Sequence, residues 1–239
     1  MSIAKREALP PKCIVIAIDG PAASGKSTTA RRVALELAFV HLDTGAMYRA
    51  VTLKVLRTGT NPGDVAAVAH LVAETHIELR NVQGSQQVLL DDEDVTTAIR
   101  RQEVTELVSA VSSLRPVRQA MVREQRRAAE LADIVAEGRD IGTVVFPHAD
   151  LKFFMVAGIE ARARRRHAEL LGQGVKADIA ELAKQITERD RLDSTRTESP
   201  LRKAEDAIEI DTSELTIEQQ VAEVLKFVED RLGRKVATR

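Results

Sequence analysis

The 239-residue sequence has little of the residue types on which many binding proteins depend. It holds one cysteine, Cys13, one tyrosine and no tryptophan. A single cysteine cannot form an internal disulfide, so we expect a reducing compartment, the cytoplasm. The scarcity of aromatic side chains and the formal net charge of −1 disfavour a nucleic-acid binder, which would use stacking rings and a basic excess. The expected partners are small molecules.

Long apolar runs and clustered histidines are also missing. The longest apolar stretches, near Ile14 and Phe153, are too short to cross a bilayer, so no membrane association is expected. The five histidines are scattered without ligand spacing, which disfavours a transition metal held by the protein. Residues 1–12 contain no apolar stretch of signal-peptide length. We expect a flexible tail there, followed by a single monomeric domain over residues 13–239.

What the sequence does contain, near its start, is a phosphate-binding loop. The loop reads Gly20-Pro21-Ala22-Ala23-Ser24-Gly25-Lys26-Ser27, after an apolar run at residues 14–18 and before a helical pattern at residues 28–38. Gly20 and Gly25 let backbone N–H groups turn toward an anion. Lys26 is placed to bridge the β- and γ-phosphates, while the Ser27 hydroxyl could replace one water on Mg²⁺. The motif predicts that the chain binds a nucleoside triphosphate, with Thr28 at the helix start.

Short β-branched or aromatic runs alternate with helical patterns along most of the chain. These runs lie at residues 13–18, 39–42, 133–136, 151–156 and 207–210. Such alternation predicts an α/β fold, a five-stranded parallel sheet with helices on both faces. Helical periodicity is clearest at residues 117–131 and 217–232.

Two regions depart from this alternation. Residues 77–90 show two apolar runs around a turn at 81–85, which predicts a small antiparallel hairpin within an insert at about residues 61–100. Residues 158–202 are helical but highly charged, and Gly172 and Gly174 divide them into two segments. The predicted core then comprises about residues 13–60, 101–157 and 203–232.

Polar segments follow the second and third predicted strands. They begin at Asp43 and at Glu137, and the carboxyl ends of parallel strands face the ligand crevice, so both should adjoin the phosphate loop. Seven arginines of the charged segment cluster along it: Arg162, Arg164, Arg165, Arg166, Arg189, Arg191 and Arg196. Guanidinium groups suit the neutralisation of phosphate oxygens during phosphoryl transfer. Taken alone, residues 162–166 could equally be a solvated helix face.

Together these segments resemble the bacterial cytidylate kinases, P-loop nucleoside-monophosphate kinases that phosphorylate CMP and dCMP. The resemblance extends from about residue 14 to residue 232. It rests on the phosphate loop, on Asp43-Thr44-Gly45-Ala46-Met47-Tyr48-Arg49, on residues 137–147 with Gly138-Arg139-Asp140-Ile141-Gly142-Thr143, and on Glu188-Arg189-Asp190-Arg191-Leu192-Asp193 leading to Arg196. It implies ATP as phosphate donor with Mg²⁺, a P-loop NTPase-type sheet, an enlarged monophosphate-binding insert containing a small antiparallel sheet, and a helical lid.

The resemblance also implies roles for single residues. Those expected to hold the acceptor phosphate are Arg49, Arg139 and Arg196. Those expected to read the cytosine are Ser109, Arg118 and Asp140, with Arg189 and Asp193 at the ribose. Thr44, where the family often has serine, would also contact the acceptor. Arg162 would join residues 20–28 at the donor nucleotide, and the catalytic groups would be Lys26, Arg139, Arg166 and Arg196.

Two alternative functions stay open at this point. A UMP/CMP or adenylate-type kinase would share the architecture and select another base. A GTP-dependent switch or an ATP-driven binding module would share only the phosphate loop. The switch is disfavoured because a guanine-reading Asn-Lys-x-Asp motif is absent: Asn61 precedes Pro62 and Asn81 precedes Val82.

Overall fold

The computed structural model describes residues 13–82, 85–172 and 174–233. The predicted tail at residues 1–12 and the tip of the predicted turn at residues 83–84 lie outside them. The strands are β1 (Val15–Asp19), β2 (Val40–Asp43), β3 (Ile77–Val82), β4 (Ser85–Leu90), β5 (Glu93–Asp94), β6 (Ile134–Gly138), β7 (Leu151–Val156) and β8 (Ile208–Asp211). The helices are α1 (Lys26–Leu37), α2 (Thr44–Thr58), α3 (Val65–Ala73), α4 (Gln102–Ser113), α5 (Arg115–Ala129), α6 (Ile159–Gly172), α7 (Ile179–Thr195) and α8 (Ile217–Leu232).

The predicted five-stranded parallel sheet is confirmed. Its strand order is β2-β6-β1-β7-β8, and each neighbouring pair is parallel. Successive side chains of a strand point to opposite faces, so each strand contributes to two cores. On one face Val15 and Ala17 pack with α2 and α5, and on the other Ile16 and Ile18 pack with α1 and α8. Burial on both faces explains why these strands read as continuous apolar runs.

The insert contains the predicted hairpin. Strands β3 and β4 pair antiparallel from Ile77 opposite Leu90, and the two-residue strand β5 extends the small sheet to three strands. Strand β5 was not predicted because two exposed acidic residues carry no strand pattern. A third apolar cluster, which includes Leu53 and Val88, packs this sheet against α2.

The helical predictions are confirmed with small shifts. Helix α8 has the predicted bounds, with a capping box between Thr216 and Gln219 at its start. Helix α5 begins two residues before the predicted start, since Pro116 suits a first helical turn, and it ends at Ala129. Leu131, which was expected on its apolar side, therefore lies beyond the helix and is 79% exposed.

The charged segment forms two packed helices. Helix α6 ends at Gly172, Gly174 has φ +77°, and α7 begins after Asp178, whose carboxylate accepts a hydrogen bond from Glu181 N at 2.9 Å. This pair occupies the segment for which a lid is predicted, and its role as a lid stays a prediction. In the described part of the chain, no helix combines the length and apolar character needed to span a membrane.

Candidate active site

The phosphate loop joins β1 to α1 at the carboxyl edge of the sheet. Gly25 has φ +90°, and a Cβ at this position would lie 2.6 Å from Oε1 of Gln220. A Cβ at Gly20 would lie 2.3 Å from the carbonyl oxygen of Met155. Both positions therefore exclude a side chain. Lys26 is 8% exposed, and its Nζ donates to the Pro21 carbonyl at 3.3 Å, so the amine stays beside the loop.

Two polar residues near the carboxyl end of the chain hold this loop, and the sequence assigned neither of them a role. The amide of Gln220 is fully buried, and its Oε1 accepts from Thr29 Oγ1 at 2.9 Å. Thr212 Oγ1 donates to the Ser24 carbonyl at 2.8 Å. The sequence did contain a signal for Gln220. It is a polar residue, next to Val221, on the inner face of a helix whose other buried residues are aliphatic.

The site carries an excess of crowded positive charge. Burial, with Arg139 nearby, lowers the pKa of Lys26 to about 7. Burial also lowers the pKa of Arg49 and of Arg189 to about 10, and in each case a neighbouring arginine contributes. Each protonated form is disfavoured because burial removes hydration and neighbouring arginines repel the charge. Such an arrangement favours a bound polyanion.

Ser27 lies in a position that fits Mg²⁺. Its Oγ donates to Oε2 of Glu137 at 2.5 Å, so the oxygen lone pairs remain available to a cation. The other oxygen of Glu137 lies 3.1 Å from Nε2 of His41. Hydroxyl, carboxylate and phosphate oxygens are the ligands that Mg²⁺ prefers. Within residues 13–82, 85–172 and 174–233, no three His, Cys, Asp or Glu side chains form a metal-binding group.

A second pocket opens beside the phosphate loop, and every predicted acceptor-binding residue lines it. These residues are Thr44, Arg49, Ser109, Arg118, Arg139, Asp140, Arg189, Asp193 and Arg196. They come from β2–α2, α4, α5, the end of β6 and α7, so the structure brings together segments far apart in sequence. Tyr48 also lines the pocket. The volume of the pocket is about 70 Å³, below the roughly 300 Å³ of a small-ligand site. An acceptor nucleotide would therefore require the pocket to widen.

Ion pairs order the side chains of this pocket. Nη2 of Arg118 donates to Oδ2 of Asp140, and both side chains are buried. The guanidinium of Arg118 also lies 5.3 Å from the ring centroid of Tyr48. Arg139 Nε donates to Asp193 Oδ2 at 2.8 Å. Burial alone would raise the pKa of Asp193, but the charge of Arg139 holds that pKa below its usual value.

The two arginines of α6 with predicted roles, Arg162 and Arg166, have different partners. Arg162 is buried, and its Nη1 contacts Oδ2 of Asp190 at 2.5 Å and the Ala22 carbonyl of the phosphate loop at 3.3 Å. Arg166 instead pairs with Glu169 at 2.7 Å on the lid itself. Three other arginines serve the fold or its surface: Arg164 pairs with Glu160, Arg165 donates to Thr212, and Arg191 pairs with Glu188.

A larger groove lies on the other side of Arg118. Its volume is about 620 Å³, and it runs along α5 toward Ser199. Arg126, one of its lining residues, donates to the carbonyls of Val144 and Val145 and so serves the fold. Among the predicted site residues only Arg118 lines this groove, so the smaller pocket is the one with the relevant chemistry.

A phosphate loop and an arginine-lined pocket lie at the same sheet edge, beside helices α6 and α7, an arrangement typical of phosphate-loop kinases. The family model described as "Cytidylate kinase" matches residues 16–230. The chain belongs to the cytidylate kinase family, and it is a nucleoside-monophosphate kinase.

Curated relatives agree over nearly the full chain. The cytidylate kinase of Geobacillus kaustophilus is 49% identical over 220 residues, which cover 92% of this chain and 98% of that protein. The cytidylate kinase of Carboxydothermus hydrogenoformans is 48% identical over 220 residues, 92% of this chain and 97% of that one. Among solved structures, an uncharacterized protein from Eubacterium ventriosum shares the fold with a TM-score of 0.52 at 11% identity, over 91% of this chain and 99% of that one.

Proposed function

We propose that this enzyme transfers the γ-phosphoryl group of ATP to CMP and dCMP, giving ADP and CDP or dCDP, with Mg²⁺ bound to the donor. Membership of the cytidylate kinase family supports CMP and ATP as substrates. The observation that carries the assignment is the pocket in which the buried Arg118–Asp140 pair lies beside Arg49, Arg139 and Arg196. A base-reading carboxylate and a phosphate-binding set of arginines there face one cavity.

Base selection is attributed to Asp140. Cytosine presents an exocyclic amino group where uracil presents a carbonyl oxygen. A buried carboxylate can accept a hydrogen bond from the first and would be left unpaired against the second, at a cost of about 1–3 kcal/mol or more. Arg118 holds Asp140 in place, and Ser109 lies on the neighbouring helix α4. Arg189 and Asp193 are proposed to contact the sugar.

Transfer itself needs positioning and charge neutralisation rather than a general base. The acceptor phosphate is largely ionised at neutral pH, so its oxygen can attack the γ-phosphorus in line once repulsion is cancelled. Lys26 lies beside the phosphate loop for the donor phosphates, while Arg139 and Arg196 line the acceptor pocket. Arg162 is positioned to close over the donor, and Arg166 is proposed to reach the transferring phosphate after leaving Glu169. Mg²⁺, held through Ser27 and the phosphates, would supply further charge neutralisation.

The experiment that tests this function is a panel of monophosphates. Rates of ADP release from ATP are measured with CMP, dCMP, UMP and AMP by a coupled assay. We expect CMP and dCMP to give the highest kcat/KM. Comparable rates on UMP would instead indicate a kinase with broader base selection. ATP hydrolysis without stimulation by any monophosphate would indicate a P-loop switch or binding module.

Three further properties belong to the same proposal. We propose that the protein acts as a monomer in the cytoplasm, with residues 13–239 as one kinase domain comprising the core, the insert at 61–100 and the lid at 158–202. Size-exclusion chromatography with light scattering tests the monomer, since a dimer would double the mass expected from 26.2 kDa. Fractionation of cells that express the chain tests the location.

A further inference from the structure

Asp19 links the two halves of the active site. It is the last residue of β1, it immediately precedes Gly20 of the phosphate loop, and it is 4% exposed. Its Oδ1 accepts a hydrogen bond from Ile141 N at 2.8 Å, and its Oδ2 accepts one from Gly142 N at 2.7 Å. Both donors belong to the segment that follows Arg139 and Asp140. One carboxylate therefore joins the donor loop to the acceptor-reading loop.

The geometry of the turn at Ile141–Val145 explains why this link matters. The turn is a short π-helical one, in which Val145 N donates to the Asp140 carbonyl and Phe146 N donates to the Ile141 carbonyl. The first N–H groups of a helical turn have no partner within it, and a preceding aspartate often caps them. Here Asp140 precedes the turn, but its side chain makes no capping hydrogen bond. Asp19 accepts from those N–H groups instead.

Because Asp19 caps the turn, the carboxylate of Asp140 is not used for capping. Its two oxygens face Arg118 and Arg196, with Oδ1 at 3.8 Å from Arg196 Nη2, and it lines the acceptor pocket. If the carboxylate of Asp140 capped its own turn, it would point away from that pocket. A Cβ at Gly142 would lie in ordinary van der Waals contact with Asp19 Oδ2, at 3.4 Å, so the carboxylate packs directly against this part of the turn.

We propose that Asp19 is a positioning residue that caps the Ile141–Val145 turn from across the sheet, so that Asp140 is left to read the acceptor base and Arg139 is held in register with the phosphate loop. This inference rests on the proposed function of the pocket. Burial raises the pKa of Asp19 to about 6, although the two N–H groups oppose that rise, so the carboxylate is charged at neutral pH. A buried charge of this kind depends on both hydrogen bonds.

Asp19→Asn is the direct test. The amide keeps the side-chain volume, but it places an N–H donor against one of the two backbone N–H donors. We expect KM for the acceptor to rise at least tenfold and kcat to fall at least tenfold. The dissociation constant for ATP, measured by calorimetry without acceptor, should change by less than twofold. Asp64→Asn is the matched control, since Asp64 also accepts from a backbone N–H, Ala67 N at 3.0 Å, but caps the exposed end of α3.

A merely structural role would affect both substrates alike, so equal losses for acceptor and ATP, or no change in either, would overturn the proposal. Asp19→Glu provides a second variant that retains the charge and displaces both oxygens. If Asp19→Asn does not fold, the same split between acceptor and ATP is measured on Asp19→Glu. The acceptor used is the best monophosphate of the wild-type panel, so failure of the CMP assignment stays distinguishable from failure of the positioning role.

Discussion

The hydroxyl of Ser27, at the start of α1, donates to the carboxylate of Glu137 at 2.5 Å. Glu137 is 2% exposed and lies at the end of β6, next to β1. Burial would raise its pKa, but His41 and the charge of Lys26 hold that pKa below its ordinary value, so it is ionised at neutral pH. The carboxylate thus fixes the direction of the Ser27 hydroxyl, which is proposed to bind Mg²⁺.

Glu137→Gln tests that relationship. The amide can present its N–H₂ group to Ser27, in which case the hydroxyl turns and no longer offers its lone pairs in the same direction. We expect the concentration of Mg²⁺ needed for half-maximal activity to rise about 10- to 100-fold, as for other residues that orient metal ligands. Glu188→Gln, on the exposed surface of α7, is the control. An unchanged Mg²⁺ dependence would contradict the role of Glu137.

Arg139→Ala should reduce kcat by about 10²- to 10³-fold, the usual loss when one charge-stabilising donor is removed from a transition state. ATP binding should stay near normal because Arg139 lines the acceptor pocket and not the phosphate loop. The acceptor KM should rise as well, since Asp193 loses its 2.8 Å hydrogen bond. Steady-state kinetics and ATP calorimetry measure these effects. Arg191→Ala, an exposed arginine paired with Glu188, is the control, and unchanged CMP turnover in Arg139→Ala would exclude the assignment.

Asp140→Asn should relax base selection. The asparagine amide can donate to the uracil carbonyl, while the loss of charge weakens the hydrogen bond to the cytosine amino group. We expect the ratio of kcat/KM for CMP to that for UMP to fall about 10- to 100-fold, which corresponds to the value of a hydrogen bond to a charged group. The same substitution weakens the buried ion pair with Arg118, and a Tm measurement reports that loss of stability separately from the change in base selection. A constant ratio would show that Asp140 does not read the base.

Lys26 should take up a proton when ATP binds. With its pKa lowered to about 7 by burial, the amine is largely neutral at about pH 8, and the negative charge of a triphosphate should raise that pKa toward the ordinary value near 10.4. Calorimetry in buffers of different ionisation enthalpy should therefore show uptake of up to about one proton per ATP at about pH 8. Lys26→Met should lose this uptake. Equal proton uptake in both proteins would contradict the role of burial at Lys26.

The parts of the molecule that could be predicted from sequence are those whose signals are local. The strand Leu151–Val156 appears as an apolar run because it is buried on both faces, and α8 appears through the spacing of Val221, Val224 and Val228. The phosphate loop was predictable because its chemistry requires eight consecutive residues. The acceptor-binding residues were predicted from the family resemblance. The structure brings them together around one pocket, but their individual roles stay predictions.

The residues without an assigned role are those whose partners are distant. Asp19 caps a turn 122 residues away, and Thr212 holds a carbonyl 188 residues away. Nothing in the residues adjoining Asp19 or Thr212 indicates these partners, because a lone aspartate at a strand end suits many environments. Tyr48 lies within a predicted segment, yet its contact with Arg118 depends on how α2 and α5 approach each other. Such roles become visible only when the packing of the whole sheet is known.

The hydrogen bond from Thr29 to Gln220 spans 191 residues, so the start of α1, directly after the donor loop, is supported by α8. Gly25 gains its neighbour Gln220 only when α8 packs against α1. A contact of such long sequence separation closes late, since the entropy of a long chain must be lost first. The full set of contacts around the ATP-binding loop therefore forms only when α8 has packed against α1.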